Sequence, residues 1–493
     1  MATYWTILAV AGACLAAPAQ AADQAADQAA DQAAPTATTT LAAAAQALAD
    51  QVFARWDGRS PGCVVGVAEH GKPLLTGAYG MADLEHGVRN GADTIFEAGS
   101  VSKQFTAAAI ALLARDGKLA LDDPVRKYIP ELPDYGAALT IRHMLAHTSG
   151  LRDWGAVAEI GGAPRGTHVY TNADVLGIVG RQSALNFAPG TRWSYSNTGY
   201  SLAAIIVERV SGQPFAAFTR ARLFAPLGMT STSWRDDYSR ILERRAIAYD
   251  KRADGYHTDM PFENVVGNGG LLTTVGDLLK WNENIEHPRV GDAAFWRAAQ
   301  TPGTLADGSA HHYGLGLSIL HAEHEPMVTH GGATAGYRSV LSRYPRRQLS
   351  VAVLCNAGDA HPGADAALLV RRLLETRPAM AALADAPRPP GGVPAVRASA
   401  RTIAEVPLAE LAGTYVSADA DARYVVTEQD GVLVVRARYG APTTLTRVAG
   451  DRFFHGGAGV VFLRDAQQRV SGLSVAIDRA WDVRFARQPG RTD

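Results

Sequence analysis

Cysteine is scarce: Cys14, Cys63 and Cys355 are the only three in a chain of 493 residues. A scaffold built on disulfides and a cysteine-based zinc site are thereby excluded. A charge excess of either sign is also missing, since 47 basic residues face 48 acidic ones, for a formal net charge of −1. With no basic field, nucleic acid and anionic membrane surfaces are not expected partners, and a small molecule is. The apolar run Tyr4–Ala17 is too short to cross a bilayer, so no membrane span is expected. Hydrophobic residues at 47% and charged residues at 19% exclude a wholly disordered or fibrous chain.

What is present begins with an address. Tyr4–Ala17 is followed by the small-residue site Ala19-Gln20-Ala21. That reads as a secretory signal over residues 1–21, although its first residues lack Lys and Arg. A periplasmic or secreted location is expected. Cys14 follows Ala11-Gly12-Ala13, which lacks the large aliphatic residue of a lipoprotein signal. Residues 22–40 include Ala-Ala-Asp-Gln repeats and read as a low-complexity leader. Cys63 and Cys355 lie in apolar, strand-like runs and read as two buried thiols, with a disulfide as the alternative in an oxidising compartment.

From 41 to 378 helix-like and strand-like patterns alternate. Cys63 to Ala68, a Gly71-Lys72 turn and Pro73 to Tyr79 read as a hairpin. Phe105 to Leu113, Ser201 to Val210 and Leu271 to Trp281 read as helices, the last capped by Thr273 or Thr274. Met327 to Thr329, Tyr337 to Tyr344 and Leu349 to Leu354 read as strands, and Ala364 to Leu374 as a closing helix. Strands at both ends with helices between predict an α+β domain, its antiparallel sheet built from both termini. Residues 379–405 have the composition of a proline-rich linker. Residues 406–493 show short alternating runs with an Asp430-Gly431 turn, which predicts a small all-β barrel or sandwich.

Three stretches carry chemistry. In Ser100-Val101-Ser102-Lys103, the serine and lysine share one face of a helix. Lysine is rare here, and Lys103 is the only one with serine three residues before it. It opens an apolar helix, where burial and the positive helix end lower a lysine pKa and yield a neutral amine able to take a serine proton. Tyr195-Ser196-Asn197 precedes a helix; its phenol can ionise or relay protons, and its amide can hold a lysine and a substrate carbonyl. In His330-Gly331-Gly332, glycines let a ligand lie against a strand edge, and the Ala333 amide can join that of Ser100 as an oxyanion hole. Taken singly, the first stretch is equally an exposed lysine, and the second and third read rather as an aromatic-rich turn and a hairpin turn.

In this order, the three resemble the serine β-lactamase and penicillin-binding-protein superfamily, and within it the group of class C β-lactamases, DD-peptidases and D-aminopeptidases. Phe96-Glu97-Ala98-Gly99, Asn268-Gly269-Gly270-Leu271 and Tyr313-Gly314-Leu315-Gly316 agree. The resemblance implies a β-lactamase/transpeptidase-like fold, with Ser100 as acylated nucleophile and Lys103 and Tyr195 sharing the acid/base work. It implies that Asn197 binds substrate and steadies Lys103, and that His330 stands in for the third-motif lysine, with Gly331 and Gly332 in the substrate-binding stretch. His330 titrates near neutrality and is similar to the residue found in DD-peptidases and D-aminopeptidases. A secreted serine hydrolase for short D-residue-containing peptides, of D-aminopeptidase or DD-carboxypeptidase type, is therefore expected. The alternatives are an esterase, a weak β-lactamase, or an idle protein that binds cell-wall peptides. The appended β domain reads as an active-site gate or as a partner-binding module. No cofactor and no metal are expected; His321-x-x-His324 lacks a metalloprotease pattern. His143 and His147 are expected to brace a loop beside the site, and Asp122 and Asp123 to cap and turn the chain.

Overall fold

The computed structural model describes residues 37–322, 325–376, 406–438 and 440–489. The signal, most of the leader, the proline-rich linker and His324 lie outside these residues. A helix, α1 (Ala37–Val52), begins inside the stretch read as leader.

One antiparallel sheet organises the larger region. Its strands are β1 (Cys63–Glu69), β2 (Lys72–Tyr79), β3 (Ser318–Ala322), β4 (Glu325–Thr334), β5 (Tyr337–Tyr344) and β6 (Leu349–Cys355). They lie in the order β3-β4-β5-β6-β1-β2, so the first hairpin pairs with the last strand. The β1–β2 turn falls at His70-Gly71, both with positive φ, one residue earlier than the sequence suggests. β1 is buried on both faces because its side chains alternate between two cores. Cys63, Val65 and Val67 pack with residues of α1 and of α5 (Pro362–Glu375). On the opposite face Gly66 leaves room for Val275 and Leu279 of the helix Val275–Glu286.

The helices α2 (Ser102–Arg115), α3 (Thr198–Ser211) and α4 (Val275–Glu286) fill the other core. α3 ends at Gly212, whose φ of +70° suits a left-handed cap. Two readings are corrected here. Leu271–Thr273 is a short strand between Phe96–Glu97 and Ser233–Trp234, and α4 starts only at Val275, where Thr274 accepts the Asp277 amide. A pair of leucines has no period that separates strand from helix, and the partners come from remote stretches. Cys63 and Cys355 are not free thiols: the register of β1 on β6 places them opposite each other, and they form a disulfide.

The C-terminal region is a closed barrel of eight strands, β7 (Gly413–Ser417), β8 (Ala422–Gln429), β9 (Val432–Arg436), β10 (Thr443–Ala449), β11 (Arg452–His455), β12 (Ala458–Arg464), β13 (Val470–Ile477) and β14 (Ala480–Arg487). Inward positions are apolar, including Tyr415, Leu433, Phe453, Phe462, Leu473 and Phe485. Arg152, its side chain only 2% exposed, fastens the barrel to the larger region. Its guanidinium donates to Asp419 Oδ2 (2.7 Å), the Trp481 carbonyl (3.1 Å), the Asp482 carbonyl (2.9 Å) and Gln182 Oε1 (2.9 Å). Among the described residues no helix is long and apolar enough to cross a membrane.

Candidate functional site

The site begins at Gly99. Its φ of +50° is one that glycine adopts freely, and a Cβ there would stand 2.8 Å from the Ala333 amide nitrogen. The chain therefore turns tightly against β4, and Ser100 sits in the 3-10 turn Gly99–Val101 that leads into α2. Ser102 secures this turn: its hydroxyl donates to the Gly99 carbonyl (2.5 Å) and accepts from the Leu271 amide (3.1 Å).

Lys103, in the first turn of α2, is completely buried. Its Nζ lies 3.1 Å from Ser100 Oγ and donates to Asn197 Oδ1 (2.8 Å) and to the Asn268 carbonyl (2.7 Å). Burial pushes its pKa well below the ordinary lysine value; Asp153 opposes the shift, and Arg165 and Arg479 add to it. A neutral amine has two N–H bonds and one lone pair. Two fixed acceptors take both N–H bonds, so the lone pair is left for the Ser100 hydroxyl proton.

Tyr195 covers this amine, its ring centroid 4.9 Å from Lys103 Nζ. Burial raises the phenol pKa, while hydrogen bonding to Ser100 and the charge of Arg479 pull it back. The hydroxyl is thus held protonated, which suits a relay better than a phenolate base. Asn197 stands at the start of α3, its amide donating to Asp153 Oδ2 (2.7 Å). The next residue, Thr198, donates to the Arg152 carbonyl and accepts from the Trp154 amide. His147 packs its ring 4.2 Å from that of Tyr195 and accepts the Ser196 amide through Nδ1, so it braces the second motif. His143 instead caps the helix Ile141–Leu145. Asp123 accepts the Ala120 amide, and Asp122 pairs with Arg142.

His330 lies within β4 rather than at a strand end. Its Nδ1 donates to the Gly331 carbonyl (2.7 Å), which can only accept, so Nε2 accepts the Tyr313 hydroxyl (2.8 Å). Burial, with the Lys103 side chain beside it acting in the same direction, pulls its pKa down to about 3. The expectation that it titrates near neutrality is corrected: a buried ring with both nitrogens engaged stays uncharged. Residues 330–334 of β4 run past the last residue paired with β3, which leaves a strand edge along the cleft. The two glycines there differ. A Cβ on Gly331 would meet nothing closer than 3.8 Å, whereas one on Gly332 would stand 2.1 Å from the Ala98 carbonyl. Gly332 is therefore needed for the approach of the serine turn, not of a ligand.

Ser100, Tyr195, Asn197, His330 and Ala333 line a cleft of 780 Å³, with Lys103 buried beneath it. The structure thus brings together Ser100, Lys103, Tyr195, Asn197, His330, Gly331, Gly332 and Ala333, the residues of the three motif stretches. Four participants were not foreseen: the Asn268 carbonyl, Asp153, Arg165 and Arg479. Asn268 was visible only as part of a familiar stretch. A backbone carbonyl has no residue-type signature, and Arg479 arrives from the barrel.

Comparison with known proteins agrees with this geometry. The family model described as Beta-lactamase matches residues 40–376. A D-aminopeptidase of Brucella anthropi is 29% identical over 307 residues, 60% of this chain and 56% of that protein. Penicillin-binding protein 4* of Bacillus subtilis is 30% identical over 310 residues, 59% of this chain and 66% of that protein. The chain thus spans little more than half the length of several curated relatives it matches. Among solved structures, an octameric penicillin-binding protein homologue from Pyrococcus abyssi superposes with a TM-score of 0.60 at 22% identity, over 90% of this chain and 99% of the other. A D-amino acid amidase from Ochrobactrum anthropi SV3 gives 0.58 at 23% identity, over 69% of this chain and 100% of the other. The chain belongs to the Beta-lactamase family.

Proposed function

We propose that the protein is a secreted peptidase or amidase that acts on short D-residue-containing peptides through an acyl-enzyme on Ser100. The observation that carries this reading is the 3.1 Å approach of a fully buried lysine amine to the Ser100 hydroxyl. In the first half-reaction Ser100 Oγ bonds to the scissile carbonyl carbon while its proton passes to Lys103 Nζ. The carbonyl oxygen takes up the negative charge beside the Ser100 and Ala333 amides. The carbonyl then re-forms, the bond to the leaving amine breaks, and that amine takes the proton from Lys103 by way of the Tyr195 hydroxyl. In the second half-reaction water gives a proton to Lys103 as its oxygen bonds to the acyl carbon; the bond from that carbon to Ser100 Oγ then breaks, Oγ takes the proton back from Lys103, and the acid product leaves with Ser100 and the neutral amine restored. Asn197 holds Lys103 and faces the substrate; His330 and Gly331 border the bound chain.

The peptidase reading draws on the D-aminopeptidase and penicillin-binding relatives. Secretion is supported by the signal-like N-terminus and by the disulfide, since such bonds persist in oxidising compartments. A fluorophosphonate probe followed by peptide mapping should label Ser100, and Ser100→Ala should abolish labelling and turnover. Lys103→Arg should lower kcat by about 1,000-fold or more, because a guanidinium keeps the charge but cannot act as a base at neutral pH. Labelling at another residue of the folded protein, or full activity of Lys103→Arg, would refute the reading.

A further inference from the structure

One of the two acceptors that fix the Lys103 amine is itself held by a buried charge. Asn197 Oδ1 accepts from Lys103 Nζ (2.8 Å), while the Asn197 amide donates to Asp153 Oδ2 (2.7 Å). The other carboxylate oxygen of Asp153 accepts from the Gly155 and Ala156 amides and caps the helix Trp154–Ile160. A carboxylate so deeply placed is unfavourable unless a cation faces it. Among the described residues, the cation within 4 Å of Asp153 is Arg479, whose Nη1 lies 3.8 Å from Oδ2.

Arg479 belongs to the barrel, in the tight turn between β13 and β14. Its carbonyl accepts from the Asp153 amide (3.1 Å) and from Asn186 Nδ2 (2.9 Å), so the turn is seated on Asp153 by backbone as well as by charge. Its guanidinium carbon lies 5.5 Å from the centroid of the Tyr195 ring. Its Nε donates to Asp478 (2.5 Å), but that side chain is 69% exposed and water screens it, whereas the Asp153 side chain is 5% exposed and keeps its field.

The other ionisable groups around Lys103 are accounted for. Arg165 is matched by Glu263 in a two-pronged ion pair. Tyr195 and Tyr200 present their rings to the amine, at 4.9 and 5.5 Å, and burial holds both phenols protonated. Burial likewise holds His147 and His330 uncharged. What remains is the opposition of Asp153, which favours a protonated Lys103, and Arg479, which disfavours it.

We propose that Asp153 and Arg479 act together as positioning residues for the base: Asp153 fixes the backbone of Asn197, and Arg479, supplied by the barrel, cancels the negative charge that Asp153 would otherwise place near Lys103. This rests on the acyl-enzyme reading above and adds a means of regulating it. With the turn seated, the amine is free to take the Ser100 proton. With the turn withdrawn, the unmatched carboxylate draws a proton onto Lys103 and idles the base.

The test follows the rate at which a fluorophosphonate labels Ser100 as pH is varied. Labelling needs an uncharged Lys103, so the rate rises with pH through a midpoint that reports the amine. Arg479→Gln should raise that midpoint by roughly one pH unit, because an uncompensated carboxylate favours the protonated lysine. Asp153→Asn keeps an oxygen for the Asn197 amide but not the charge, and should lower the midpoint. The two changes together should return it close to the wild-type value, and Arg479→Lys, which keeps the charge, should leave it nearly there. Melting temperatures report whether each variant is folded; should Asp153→Asn fail to fold, the contrast between Arg479→Gln and Arg479→Lys carries the same test. A merely structural contact would slow labelling equally at every pH and leave the midpoint in place, and that result would overturn the assignment. So would equal shifts in Arg479→Gln and Arg479→Lys, or a shift in Arg479→Gln that adding Asp153→Asn does not reverse. Absence of Ser100 labelling in the wild type at every pH would instead overturn the acyl-enzyme reading.

Discussion

Replacing Arg152 with methionine should loosen the barrel from the rest of the molecule without unfolding either part. Arg152 is the buried link between them, with bonds to Asp419, Trp481 and Asp482 on the barrel side. Removing one partner of a buried ion pair costs about 3–5 kcal/mol, because the other charge is left uncompensated. Here Asp419 keeps the Ser183 amide (3.1 Å) and hydroxyl (3.0 Å), so the lower end of that range, about 3 kcal/mol, applies. At 1.4 kcal/mol per decade, the undocked population should rise about 100-fold. Two amides report on docking directly. That of Asp153 donates to the Arg479 carbonyl, and that of Trp481 to Asn186 Oδ1. Hydrogen-exchange mass spectrometry should show both exchanging about 100-fold faster in Arg152→Met, while amides within the β12–β13 ladder keep their protection. A double-mutant cycle with Asp419→Leu should yield a coupling energy of the same order. Unchanged exchange at both amides, in a variant with unchanged melting temperature, would show that Arg152 does not hold the barrel.

Three further outcomes are expected. His330 has a folded pKa of about 3 against an ordinary value of 6.5, so the unfolded chain takes up a proton below pH 6.5 that the folded chain refuses; stability is lost as pH falls from 6.5 toward 3. His330→Gln should therefore reduce the stability lost between pH 7 and pH 5 by about 2 kcal/mol, read from urea unfolding at each pH. Gly332→Ala should lower the melting temperature sharply, since its Cβ would collide with the Ala98 carbonyl, whereas Gly331→Ala should leave it nearly unchanged; equal effects would contradict the assigned packing. The purified protein, denatured without reductant, should bind no alkylating reagent at Cys63 or Cys355, and the paired change Cys63→Ala with Cys355→Ala should cost about 2–5 kcal/mol in denaturant unfolding.

Much of the site was legible because its signals are local. Ser100 and Lys103 share one helical turn, and the scarcity of lysine makes that spacing stand out. Asn197 lies just ahead of a helix whose start is readable, and His330 continues an apolar strand-like run. The barrel announced itself by alternation and by the Asp430-Gly431 turn. Hidden features are those set by remote partners. Leu271–Thr273 is a strand only because Phe96–Glu97 and Ser233–Trp234 flank it. The cysteines pair only because β1 falls in register with β6. His330 is uncharged because the packed fold buries it beside Lys103, an environment no local pattern records. Arg479 reaches the cleft through the docking of the barrel, which composition and spacing do not encode.

The order of the main sheet has a consequence for how the chain acquires its shape. The hairpin of β1 and β2 is made early, yet its inner neighbour β6 ends at Cys355, 292 residues later. Until that strand is synthesised, Cys63–Glu69 presents an unpaired apolar edge, a template for joining other chains. Closing so long a loop is entropically slow. A chain that stops short of Leu349 would therefore leave that edge open to other chains.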